Sequence, residues 1–177
     1  MVFDYYHRLS ARQQRIYRRS DEITSLRLPD ATPMRALAVP LPAALERADR
    51  AATQRLCRRL ADAVTERLRV APVAARVLAV RPSADWGELH GLYECREGAA
   101  RARITLWMRT AQRRRVVAFR TFLRTLLHEI CHHLDYQLLE LPDSFHTEGF
   151  YKRESSLFHQ IVPATQGPRR RARAAHE

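Results

Sequence analysis

Apolar residues recur at three- and four-residue steps between positions 119 and 138: Phe119, Phe122, Leu123, Leu126, Leu127, Ile130, Leu134 and Leu138. No Gly or Pro interrupts the run, so the spacing predicts an amphipathic helix with one buried stripe. The opposite stripe carries Thr121, Arg124, Thr125, His128, Glu129, His132 and Asp135. A second helical pattern runs from Ala43 to Leu68, where Leu45, Ala48, Ala52, Leu56, Leu60, Val64 and Leu68 keep four-residue steps while Glu46, Arg50, Arg58, Arg59 and Glu66 face away. It is expected to be one long scaffold helix. A third covers residues 10 to 25, with Ser10 placed to cap and Ile16, Tyr17, Ile23 and Leu26 as apolar points. Between them Pro29, Pro33, Pro40 and Pro42 predict a linker or an extended wrap, because proline breaks helices and central strands alike.

Strand patterns occupy the middle of the chain. Arg76 to Val80 reads as a short strand, Glu88 to Cys95 alternates apolar and polar residues, and Arg103 to Met108 follows a turn at Glu97-Gly98. Pro142 and Asp143-Ser144 end the helix over 119–138 and start another near His146. The expected fold class is α+β: a small three-stranded sheet packed on the helix over 119–138, with a long N-terminal scaffold helix and a C-terminal helix. The expected organisation is a helical, proline-rich extension over 1–42, one domain over 43–162, and a basic disordered tail over 163–177.

Composition narrows the class. With 46% hydrophobic residues the chain can bury a globular core, and no apolar run approaches the roughly 20 residues needed to cross a bilayer. The N-terminus lacks the apolar centre of a secretion signal, so a cytoplasmic location and no membrane partner are expected. Three cysteines, Cys57, Cys95 and Cys131, with no CxxC pair, make neither a disulfide framework nor a cysteine zinc site. Cys131 is expected to be a buried thiol. The formal net charge is +12, and Lys152 is the single lysine. Such a balance attracts polyanions, so contact with nucleic acid through arginines is one expectation; solvated arginines spread along the chain are the plainer one.

The chemistry lies in His128-Glu129-Ile130-Cys131-His132. In HExxH spacing, two imidazoles one helical turn apart can hold one Zn²⁺, and the carboxylate between them can take a proton from water. A solvated helix face with two histidines has the same letters; the helical context favours the metal. Gly at 135 and His at 138 would mark a metzincin, but Asp135 and Leu138 stand there. Catalytic zinc takes a third protein ligand. His146, Glu148 and Glu154 are the candidates, and His146 is preferred for its place at a helix start, with Phe150 one turn on as an anchor into the core. Asp135 can orient a ligand imidazole or be an exposed acid, and His133 is rotated by about 100° from His132, which makes it a bystander.

These residues resemble the SprT-like zinc metalloproteases, the group that includes the Spartan-type proteases. The likeness covers residues 76 to 161: short strands, Leu126-Leu127 before the HExxH string, then His146 followed four residues later by Phe150. Two departures stand out: Thr147 follows His146 where the family commonly has Gly, and Glu148-Gly149-Phe150 looks like small gluzincins. The resemblance implies a zincin fold, Zn²⁺ held by His128, His132 and His146, Glu129 as general base, and a protein or peptide substrate. Family members often act on DNA-bound proteins. An edge strand, Glu88 to Cys95 or Ala102 to Trp107, would align the substrate, and Tyr136 or Tyr151 would assist at the oxyanion. The alternative is a zincin-like module that binds metal and contacts nucleic acid or a protein without cleaving. A third reading is a helical nucleic-acid protein with an accidental HExxH.

Overall fold

A computed structural model describes residues 2–84, 87–95 and 101–162; the expected turn at Glu97-Gly98 and the expected tail lie outside them. The class is α+β. After a 3₁₀ turn at Asp4–Arg8 come helices α1 (Ala11–Glu22), α2 (Thr32–Ala38), α3 (Leu41–Glu46) and α4 (Arg50–Leu68). Strands β1 (Ala74–Val80), β2 (Ser83–Ala84), β3 (Gly87–Glu88), β4 (Gly91–Glu94) and β5 (Arg103–Arg109) follow, then α5 (Phe119–Gln137) and α6 (Glu148–Ile161).

Two expectations about the first half need correction. The proline-rich segment is not an extended wrap: Pro33 and Pro42 sit in the first turns of α2 and α3, where a missing N–H leaves no bond unmade. Met34 and Leu41 are fully buried there. The scaffold helix is also not continuous from Ala43. Ala48 takes a left-handed φ of 52°, and the Asp49 side chain accepts the Ala52 N–H at 2.9 Å. A helix therefore ends and a freshly capped one begins. Its buried face is Thr53, Cys57, Leu60, Ala61, Val64 and Thr65, one position round from the aliphatic stripe in the sequence.

The sheet order is β1-β5-β4, with β1 parallel and β4 antiparallel to β5. β5 is thus the central strand. Of the two expected edge strands only the Gly91–Glu94 part of Glu88–Cys95 is an edge, while Ala102–Trp107 is paired on both sides. Glu88 belongs instead to the two-stranded β2–β3 hairpin, where it pairs with Ser83. One face of the sheet buries Ala75, Val77, Ile104, Leu106 and Met108 in a single core, with α4 packed against β1 and α5 against β5 and β4. α5 contributes Phe122, Leu123, Leu126, Leu127, Ile130 and Leu134 to the same core, each stabilising it by about 1.5–3 kcal/mol. Leu26, Leu28 and Met34 belong to that core too, so residues before 43 pack with those after it. Cys131 is fully buried, and burial raises its thiol pKa.

α6 is fixed twice at its N-terminal end. Thr147 caps it by accepting the Phe150 N–H at 2.9 Å, and Asp21 at the end of α1 accepts the Gly149 N–H at 2.8 Å. The approach is close enough that a Cβ on Gly149 would stand 2.3 Å from the Asp21 carbonyl oxygen. Gly149→Ala is therefore expected to cost about 1–3 kcal/mol through overpacking, read as a lower urea midpoint. An unchanged midpoint would refute the contact.

Candidate metal centre

α5 places His128 and His132 one turn apart on its cleft side, and the loop after Pro142 brings His146 back over them. The His146 Nε2 lies 2.9 Å from His128 Nε2 and 3.0 Å from His132 Nε2. Outer contacts decide which nitrogens carry protons. The Glu154 carboxylate oxygen, 3.3 Å from His128 Nδ1, can only accept, so Nδ1 donates. The Ser144 hydroxyl donates to Asp135 Oδ2 at 2.7 Å, and so accepts from His132 Nδ1, also at 2.7 Å. Both Nε2 atoms are then bare lone pairs facing a third imidazole. One N–H on His146 satisfies only one of them. A cation satisfies all three, and neutral imidazole is the form that binds it. Burial, reinforced by the neighbouring imidazoles, lowers the pKa of His132 to about 3 and of His146 to about 4. These three histidines could hold a metal ion.

The other candidate ligands stand elsewhere. Glu148 is turned to Lys152, which bonds it at 2.7 Å. Glu154 lies behind the cluster, between His128 and Arg124, whose Nη1 it accepts at 3.0 Å. Burial pushes the Glu154 carboxyl up, but the hydrogen bonds from His128 and Arg124 outweigh it, and the pKa falls below the usual range.

Glu129 is buried between α5 and β4. An added Cβ on Gly91 would fall 2.3 Å from its Oε1 and 2.8 Å from Thr125 Cγ2, so only glycine lets the strand come this near. Burial pushes the Glu129 pKa up to about 7, against the pull of His128 and the Tyr93 backbone N–H. A cleft of about 610 Å³ opens over these groups. His90, Gly91, Leu92 and Tyr93 form one wall, and Thr121, Arg124 and Thr125 continue the α5 side. Residues 10–42 do not line it. Tyr136 does, whereas Tyr151 lies outside the lining with its ring stacked on His146 at 5.9 Å.

His133 stays outside the imidazole triad, as expected of a bystander to the metal, but it has a structural role. Its Nε2–H donates to the Ala71 carbonyl at 2.7 Å, leaving Nδ1 to accept the Tyr93 hydroxyl at 3.1 Å. It bolts α5 to the chain before β1 and to β4. Asp135 is neither exposed nor in direct contact with an imidazole, since it reaches His132 through Ser144. It also pairs with Arg153 at 2.8 Å, both side chains being fully buried. Arg153 donates further to the Ser20 and Ile23 carbonyls, each at 2.6 Å, and so satisfies the end of α1. Tyr5 donates to the His146 carbonyl at 2.8 Å. Ser144, Arg153 and Tyr5 were not legible as site residues: each acts across the fold rather than along a motif.

Among the described residues, no helix is long and apolar enough to cross a membrane. Comparison with known proteins finds no match among family models, curated proteins or solved structures.

Proposed function

We propose that the chain is a zinc-dependent peptidase with a zincin-like arrangement, in which Glu129 is the general base. One observation carries the reading: three imidazole Nε2 atoms converge beside a buried carboxylate at the floor of a cleft. A zinc ion held by His128, His132 and His146 would supply Lewis-acid polarisation of the scissile carbonyl and activation of water. Glu129 takes the proton from the attacking water and passes it to the leaving amine. Glu154 and Ser144 hold the ligand imidazoles in the tautomer that frees Nε2.

β4 leaves one side unpaired along the cleft, where Leu92 is 38% exposed, and an extended substrate would add to it as a further strand. Ala102–Trp107 lacks such a side. Tyr136, which lines the cleft, is better placed than Tyr151 to donate to an oxyanion. The α+β architecture and the likeness to SprT-like proteases from residue 76 onward support the same reading.

The test is zinc content together with cleavage of an unfolded protein such as casein. Wild type and Glu148→Ala are expected to retain about one zinc per chain and to cleave, whereas His146→Ala holds zinc substoichiometrically and does not. A folded wild type that stays metal-free after zinc loading would overturn the proposal. Gly91→Ala is expected to keep zinc yet slow cleavage about 100-fold, because a displacement of about 1 Å at Glu129 suffices for such a loss. Cleavage at the wild-type rate would contradict that positioning role.

A further inference from the structure

The far edge of the sheet poses a different problem from the cleft edge. Among the described residues, no strand pairs with the outer side of β1. α4 covers it with side chains: Arg50 donates to the Val77 carbonyl at 3.4 Å, Arg58 to the Ala75 carbonyl at 3.2 Å, and Gln54 accepts the Val77 N–H at 3.1 Å. These contacts hold two guanidiniums in place beside a groove of about 460 Å³, which Arg76 and Arg103 also line. A second groove, of about 260 Å³, also borders α4 and presents Arg47, Arg55 and Arg59. No carboxylate lines either groove, and none of these arginines forms an ion pair among the described residues. The chain as a whole carries +12.

We propose that the two grooves flanking α4 form one binding surface for the phosphate backbone of duplex nucleic acid. Arginine, a planar fork of donors, is suited to phosphate, and main-chain anchoring reduces the ordering cost for Arg50 and Arg58. A single phosphate would need one groove; arginines along both sides of a helix match a repeating polyanion. Neither groove has an aromatic residue in its described lining. Single-strand binders use aromatic platforms for stacked bases, so this surface reads backbone and favours the duplex. It shares no lining residue with the cleft and lies at the opposite sheet edge, so it leaves the cleft open.

The test is fluorescence anisotropy of a labelled 20-base-pair duplex titrated with the full chain, in EDTA, over a range of salt concentrations. Arg55, Arg59 and Arg76 are exposed and make no contact the fold depends on. The triple variant R55Q/R59Q/R76Q is expected to bind at least tenfold more weakly and to flatten the salt slope by about three. R12Q/R15Q/R113Q, which removes equal charge from exposed positions elsewhere, is expected to shift the slope by less than one. Equal weakening by both triples, or no duplex binding by wild type, would overturn the assignment. So would tighter binding to a single-stranded oligonucleotide of the same length, or to phosphatidylserine vesicles. Because metal is absent throughout, failure here leaves the peptidase reading standing, and the converse holds.

Discussion

Asp135→Ala is expected to destabilise the fold by about 3–5 kcal/mol. Arg153 is fully buried, and Asp135 is its carboxylate partner at 2.8 Å. Removing that partner leaves a cation in the core with only neutral acceptors, at Ser20 and Ile23. The same change takes from Ser144 the acceptor of its hydroxyl proton, so His132 Nδ1 loses its fixed partner. Zinc affinity is then expected to fall about 10–100-fold on top of the stability loss. Thermal denaturation checks the first effect, as a drop of about 10 °C for a chain of this size. Competition with a chromogenic chelator checks the second. A melting point equal to wild type would mean that the pair is not the keystone described.

Glu129→Gln should separate binding from chemistry. The amide is nearly isosteric, keeps the fit against Gly91 and leaves the three histidines untouched. Zinc stoichiometry is expected to match wild type, while casein cleavage falls about 1,000-fold, within the range for loss of a positioned general base. If the variant cleaves as fast as wild type, Glu129 is not the base.

Legibility differed sharply between elements. α5 was readable because its apolar steps run unbroken, and its HExxH string shows on any helix that presents it. His146 was readable through its place near the start of the next helix. The break at Ala48 was hidden because alanine has no reputation for a left-handed φ, and Asp49 needed the helix to start before it could look like a cap. The prolines misled for a related reason: the ring that stops a helix also suits its first turn. His133 looked idle because helical rotation alone ignores what waits on the neighbouring side, here Tyr93 and the Ala71 carbonyl. Ser144 and Arg153 join elements far apart in the chain, a relation that periodicity does not record.

The link between Arg153 and the Ser20 carbonyl spans 133 residues. During synthesis α1 leaves the ribosome before α6 and waits for it before its terminal carbonyls find their partner. Such non-local closure slows folding and leaves early segments open to misassociation. Until α6 has emerged, the carbonyl end of α1 therefore lacks its guanidinium and is the segment a chaperone would shelter.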